Sequence, residues 1–163
     1  MARPTHHNGN VRISAKTDYA IRAALELACA PAANGPVTAE KIAEAQDIPL
    51  RFLLNILADL RRSGLVTSRR GTEGGWWLAR PADGITVADV IRAIDGPLAN
   101  VAGARPEELD YRGSAEPLKD LWVALRYSIR DVLETVTLAD LATGALPKPI
   151  SRRTHDPDAW LPH

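Results

Sequence analysis

The segment from residue 49 to residue 80 constrains the fold most, because an amphipathic helix pattern runs directly into two short strand patterns. Apolar residues recur every three to four positions over residues 49–63, which predicts a helix with one buried face. The runs "LVTSRR" and "GWWLAR" flank the glycine-rich "GTEG", an arrangement typical of a β-hairpin. The chain must therefore bury one face of this helix and place a short ribbon beside its end. The predicted core face consists of Phe52, Leu53, Ile56, Leu57 and Leu60.

Two helices are predicted upstream of this segment. The run "SAKTDYAIRAALELACA" has apolar residues at helical spacing, which predicts a helix over about residues 15–30, ended by Pro31. Thr38 is a good N-cap for "AEKIAEAQ", and Glu40 in the first turn is favourable to the helix dipole. Cys29 lies on the apolar-leaning end of the first helix, so a buried thiol is expected there.

The second half of the chain also begins with a capped helix. Thr86 and Asp89 give "TVADVIRAIDGP" a capping-box pattern, which "TLADL" repeats farther on. Between them lie a stretch without periodicity and a long helix predicted from Glu116. The predicted division of the chain is a disordered N-terminus (1–11), a helical domain with the hairpin (12–97), a loop (98–115), the long helix with a short capping helix (116–143) and a mobile, Pro-rich tail (144–163).

The long helix carries a stripe of apolar residues at intervals of three and four. Such a stripe fits a dimer interface, and an intramolecular core face would explain it equally well. Its members are Leu118, Leu121, Trp122, Leu125, Ile129, Val132, Leu133 and Val136.

The composition argues against disulfide-bonded, membrane-spanning and secreted proteins. The chain has 163 residues with an ordinary globular composition and one cysteine, which excludes an internal disulfide and is typical of a cytoplasmic protein. No apolar run approaches the length of ~18 residues that a membrane span needs, and no secretory signal is predicted. Residues 1–80 hold 11 Lys and Arg against 7 Asp and Glu, whereas residues 81–163 hold 9 against 13. The basic first half favours a polyanionic partner.

The element order, two helices followed by a third and a two-stranded ribbon, predicts a winged helix-turn-helix, mainly α with a small β-hairpin. The free face of the third helix then suits the DNA major groove, which admits one α-helix. Arg51 and Asn55 would reach base edges, since arginine can bond guanine and asparagine adenine in bidentate fashion. Leu54 would touch a thymine methyl group. The alternative is that these three side chains are merely solvated.

In this interpretation the hairpin is the wing. Arg69 and Arg70, beside its tip, would enter a minor groove or bind phosphates, and the turn glycines would allow positive φ and close approach to the backbone of DNA. Strand alternation assigns Trp76 to the core and leaves Trp77 more exposed, against a sugar-phosphate edge or the dimer helix. The predicted DNA-contacting residues are Lys16, Tyr19, Thr38, Arg51, Leu54, Asn55, Arg62, Arg69, Arg70, Gly71, Thr72, Gly74 and Gly75.

The combination of "LVTSRRGTEGGWWLARP" and "ITVADVIRAIDGPL" resembles the Rrf2 family of bacterial winged-helix transcription regulators. The opening helix "AKTDYAIRAALELA" and the "GLV" before the wing are similar to that family as well. The resemblance covers residues 12 to about 142. It implies a homodimer, built on the long helix, that binds a pseudo-palindromic operator in double-stranded DNA with helix 49–63 and wing 65–80, most simply as a repressor.

The chain departs from the family at one place. Many Rrf2 regulators hold an iron–sulfur cluster with three cysteines in the loop after the fourth helix, but residues 98–115 contain no cysteine. Glu107, Glu108 and Asp110 offer hard oxygen donors, which suit iron–sulfur chemistry poorly, and are interpreted as a solvated acidic turn. No metal or cofactor is therefore predicted. A small-molecule effector or a partner protein is left as the source of a signal.

The sequence is compatible with two classes of function. The first is a DNA-binding regulator in the cytoplasm; the second is a winged-helix scaffold for protein–protein contact, or a regulator controlled by a partner protein. A scaffold would carry apolar or acidic residues on the free helix face, whereas Arg51, Asn55 and Arg62 are basic or amide residues. An enzyme is not predicted, because the sequence shows no nucleophile with a base and no phosphate-binding strand-loop-helix.

Overall fold

The computed structural model describes residues 13–162, whose elements follow the predicted order; the predicted N-terminal segment 1–11 lies outside this range. The helices are α1 (Ala15–Cys29), α2 (Ala39–Gln46), α3 (Leu50–Arg62), α4 (Val87–Asp95), α5 (Leu118–Leu133), α6 (Leu138–Thr143) and α7 (Lys148–Thr154), and the strands are β1 (Val66–Arg69) and β2 (Gly75–Leu78). None of the described helices is both long enough and apolar enough to cross a membrane.

Hydroxyl side chains fix the starts of four helices. Ser14, Thr38, Thr86 and Thr137 each accept a hydrogen bond from a backbone N–H in the first turn of α1, α2, α4 and α6. In α4 and α6 the carboxylate of an aspartate three residues later accepts the backbone N–H of the cap residue, which completes a capping box. These starts depend on local sequence only, which is why the sequence predicted the three threonine caps.

The main core lies where α1 meets α2, α3 and the hairpin. Ala20, Ala23 and Ala24 on α1 are buried, and their small side chains let the neighbouring helices approach closely. The core face of α3 is fully buried at Leu53, Ile56, Leu57 and Leu60. This packing leaves the opposite face of α3 facing outward.

Phe52 is the exception on the predicted core face of α3, because its side chain is 61% exposed. Helical spacing places it beside Ile56, but it lies in the first turn of the helix. There no other element of residues 13–162 covers it. Periodicity predicts the direction in which a side chain points, but its burial also depends on how far the neighbouring elements extend.

The hairpin is anchored to the α1–α2 connection. β1 and β2 pair antiparallel, with Ser68 opposite Trp76 and Thr67 opposite Trp77. On the other edge of β2, the Val37 N–H donates to the Trp76 carbonyl at 2.9 Å, and the Trp76 N–H donates to the Val37 carbonyl at 2.8 Å. This bridge adds a one-residue strand beside Trp76, toward the turn end of the hairpin, and holds the wing against the helical core.

The segment after α5 returns to the first half of the chain. The Val87 N–H donates to the Val136 carbonyl and the Leu138 N–H donates to the Ile85 carbonyl, both at 2.9 Å. Val136 is buried in a second apolar cluster with Val87. The assignment of Val136 to the dimer stripe is therefore wrong: α5 has ended before it, and the backbone pairing turns its side chain into the protomer.

The Pro-rich tail contains α7, and Ile150 is buried in the same second cluster. This part of the tail packs on the domain, contrary to the mobility expected from its composition. Leu146 packs against the same cluster, so two apolar residues anchor this segment, and average composition does not reveal such positions.

Candidate DNA-binding surface

The outward face of α3 presents the three predicted base-reading residues. Arg51, Leu54 and Asn55 are exposed, with Leu54 at 46%. Within residues 13–162 the side chains of Arg51 and Asn55 form neither a hydrogen bond nor an ion pair. The helix therefore offers a guanidinium and an amide, one turn apart, that are free to bond an external partner.

The second half of α3 is tied to α1 through Asp59. The Lys16 ammonium lies 2.6 Å from a carboxylate oxygen of Asp59, and Arg62 bonds the other oxygen. The hydrogen bond from Lys16, with the charge of Lys16 and then Arg62, holds the pKa of Asp59 below its usual value against the opposing effect of burial. Lys16 and Arg62 are thus partly neutralised by the protein, although both side chains remain open to solvent.

Two further predicted contact residues have roles inside the protein. The Thr38 hydroxyl accepts the Lys41 N–H as the cap of α2. Tyr19 is half-buried, with the Arg22 guanidinium 5.3 Å from its ring centroid. Their contribution to DNA binding stays a prediction.

The two wing arginines differ in their surroundings. The Arg69 guanidinium donates to the Glu73 carbonyl at 2.9 Å, so it closes the hairpin turn on itself. Arg70 is exposed and forms no such bond within the described part of the chain. Arg70 is therefore the cation at the tip that is free to meet a phosphate.

The glycines of the turn are required for two different reasons. Gly71 and Gly75 have φ of 107° and 150°, which L side chains rarely adopt. Gly74 does not share this conformation, which corrects the expectation of positive φ at all three. A Cβ at Gly74 would instead lie 2.3 Å from the Arg69 carbonyl oxygen, so the tip is too tight for any side chain. Thr72 is exposed between them.

Arg61 is a residue of this surface that sequence reasoning missed. Its guanidinium donates to the Ser68 hydroxyl at 3.2 Å and lies 5.7 Å from the Trp76 ring centroid. It thereby links α3 to the wing. Trp76 is half-buried against the core and Trp77 is 39% exposed, as strand alternation predicted. No sequence signal marks Arg61, because its partners are fixed by how the hairpin folds back.

A sequence model of the Rrf2 family, described as an iron-dependent transcriptional regulator, matches residues 13–144. The chain belongs to the Rrf2 family. A protein of Mycobacterium tuberculosis whose name describes an HTH-type transcriptional regulator is 49% identical over 146 residues, which is 90% of each chain. The HTH-type transcriptional regulator CymR of Bacillus subtilis is 34% identical over 133 residues, covering 82% of this chain and 91% of CymR.

Solved structures agree with this assignment. The structure of CymR, the global cysteine regulator of B. subtilis, superposes with a TM-score of 0.70 at 33% identity, covering 83% of this chain and 98% of that one. The T. potens IscR structure superposes with a TM-score of 0.67 at 34% identity, covering 83% and 89%. This Rrf2 protein is a DNA-binding transcriptional regulator with a winged-helix fold, and the relatives bear out the prediction that it is not an enzyme.

The family description names iron, but the donor set of this Rrf2 protein does not fit an iron–sulfur cluster. Residues 98–115 contain no cysteine, and the one cysteine of the chain is Cys29. Among residues 13–162 no group of three or more His, Cys, Asp or Glu side chains could hold a metal ion. Cys29 is exposed, so the expectation of a buried thiol is wrong. It lies two positions after buried Leu27, which turns it to the opposite side of α1.

The long helix of this Rrf2 protein is poorly covered. None of the 16 residues of α5 is buried in the protomer. Leu121 is 53% exposed, and the remaining stripe residues within the helix are half-buried or exposed. Val123 and Tyr127, outside the stripe, are also exposed. The Trp122 indole N–H donates to the Tyr111 hydroxyl at 3.1 Å, which ties the helix to the preceding loop.

Proposed function

We propose that this Rrf2 protein is a homodimer that reads a pseudo-palindromic operator with α3 and the wing, and represses transcription by occupying a promoter. The observation that carries the proposal is the pair Arg51 and Asn55, which are exposed on the free face of α3 and bond no side chain or backbone group in the described part of the chain. Residues near the start of a recognition helix are the ones that contact base edges. A protein acting on promoters in this way works in the cytoplasm.

The uncovered helix α5 supports the dimer. Val132 and Leu133 at its C-terminal end pack against the second apolar cluster, whereas Leu121 is 53% exposed and no stripe residue within the helix is fully buried. A second copy would supply the missing burial. A two-fold dimer places two recognition helices in successive major grooves, about 34–36 Å apart. This geometry is the reason to expect an operator with two related half-sites.

Asn55→Ala tests base reading by α3. We expect this variant to lose about 1–3 kcal/mol of binding for each half-site of the specific operator, while binding to random DNA of equal length stays nearly unchanged. The measurement is a gel shift with the promoter upstream of the protein's own gene and with a random duplex. Asn34→Ala, at an exposed asparagine of the α1–α2 connection, is the matched control. Equal losses on both duplexes would show that α3 does not read bases.

A protein-binding role is the second candidate, and one observation favours it. Leu50 and Phe52 are exposed apolar residues at the start of α3, where a protein partner would find a small apolar patch. The same gel shift separates the two functions. A wild-type protein that binds neither the promoter nor random DNA supports the protein-binding role.

A further inference from the structure

A cavity of about 310 Å³ lies between the end of α4, the segment that follows it, and α5. Arginine dominates its charged lining. The charged lining residues are Arg92, Arg105, Arg126, Arg130 and Glu107. Four guanidinium groups against one carboxylate give the lining an excess of positive charge, in the half of the chain that is acidic as a whole.

Carboxylates of the protein already engage three of these arginines. Arg126 bonds Glu107, and Arg92 and Arg130 both bond Glu134, which lies outside the lining. The fourth guanidinium, that of Arg105, has neither a hydrogen bond nor an ion pair within residues 13–162. Among the described residues the cavity thus contains one guanidinium group without a bonded partner and three that are held in place by acidic side chains.

We propose that this cavity binds a small organic anion that carries two or more carboxylate or phosphate groups. Guanidinium groups bond such oxyanions through two parallel N–H donors, and several converging arginines favour a multiply charged ligand over a single charge. Pro97 and Leu98 give the cavity an apolar part for a short carbon skeleton, and Asn100 adds an amide. The volume suits a metabolite rather than a segment of a macromolecule.

The position of Glu134 connects the cavity to DNA binding, and this step rests on the proposed function. Its bonds to Arg92 and Arg130 join α4, which packs on α1 and α3, to α5. The hydrogen bonds from Arg130 and then Arg92 hold the pKa of Glu134 below its usual value. An anion bound to the same arginines competes with Glu134 and loosens this link. The recognition helices would then shift relative to the dimer helix.

Titration calorimetry on the full-length protein without DNA tests the binding step. The probes are citrate for carboxylates and inorganic pyrophosphate for phosphates, at matched ionic strength, with glucose as the uncharged comparison. We expect saturable binding of at least one anion at one site per chain and none of glucose. Absence of saturable binding by both anions overturns the proposal, and the preferred anion identifies the chemical class.

Two variants assign the binding to this cavity. Arg105→Gln should weaken binding at least tenfold, whereas Arg112→Gln, at an exposed arginine of the same loop outside the lining, should leave it unchanged. Glu107→Gln should tighten binding several-fold, because it removes the carboxylate that competes for Arg126. Equal losses in Arg105→Gln and Arg112→Gln, or weaker binding in Glu107→Gln, would overturn the assignment.

A gel shift with and without the bound anion tests the regulatory step separately. We expect the anion to change operator affinity at least fivefold in the wild type and to have no effect in Arg105→Gln. An anion that binds by calorimetry but leaves DNA affinity unchanged overturns the regulatory step alone. A protein that binds no DNA contradicts the proposed function, and the calorimetric result still decides the anion site.

Discussion

Arg69 and Arg70 are neighbours at the end of β1, yet among residues 13–162 only Arg69 finds a hydrogen-bond partner, the Glu73 carbonyl. At the scale of single residues, Arg69 therefore stabilises the turn, whereas Arg70 is available to bind phosphate. Each arginine that neutralises a phosphate releases counterions and adds close to one unit to the salt dependence of binding. The two arginines, which the sequence predicted to act alike, therefore have different surroundings in the structure.

Arg70→Ala should lower the slope of log affinity against log salt concentration by about two units, one for each protomer of the dimer, equally on specific and random DNA. The measurement is a salt titration by fluorescence anisotropy. Arg152→Ala, at an exposed arginine of α7, is the control and should leave the slope unchanged. A slope unaltered by Arg70→Ala would show that the tip of the wing does not contact phosphate.

At the scale of elements, α5 differs from the other long helices. α1 and α3 each bury a continuous face, whereas α5 has no buried residue and touches the protomer mainly at the turn Pro106–Glu108 and at α4. Surface helices gain most of their stability from an apolar face packed against a neighbour. The element that most needs a partner is therefore the long helix.

Replacing both Leu125 and Ile129 by glutamate should convert the dimer to a monomer, because burying unpaired carboxylates in an apolar interface is costly. Sedimentation velocity measures the oligomeric state, and circular dichroism establishes that the helices persist. Ser128→Glu adds a charge at an exposed position of the same helix outside the stripe and should leave the dimer intact. A double variant that stays folded and dimeric would place the interface elsewhere.

At the scale of the whole molecule, the cysteine content limits what cofactor this Rrf2 regulator can hold. Thiolates are the usual ligands of iron–sulfur clusters, and one cysteine per chain supplies two thiolates to a symmetric dimer. Those two belong to exposed Cys29 at the end of α1, in a different part of the chain from residues 98–115. The family's iron chemistry therefore has no suitable ligand set in that loop.

Protein purified without oxygen should consequently be colourless and lack stoichiometric iron and sulfide. The measurements are the visible absorption spectrum and chemical iron and sulfide analysis. Cys29→Ser should have the same spectrum as the wild type. A brown wild-type preparation with iron and sulfide would contradict this prediction, and loss of colour in Cys29→Ser would identify the ligand.

Much of the fold depends on short-range interactions, which a sequence displays directly. Thr86 and Asp89 lie three residues apart, so the capping box that starts α4 is formed within four consecutive residues. The same holds for the hairpin, whose turn conformation follows from Gly71 and Gly75, and for the exposure of Arg51 and Asn55 opposite an apolar helix face. For these features the interacting groups are close in the chain, so the pattern alone predicted them.

Only the tertiary structure decided the features that depend on where distant elements end. The exposure of Phe52, the burial of Val136 and the anchoring of Ile150 each follow from how far a neighbouring element extends. The arginine cavity also depends on distant segments, because Arg92 of α4 and Arg130 of α5 both form ion pairs with Glu134, although a long loop separates the two helices in sequence. Burial and ion pairing at such positions depend on contacts between segments far apart in sequence, and no local periodicity encodes those distances.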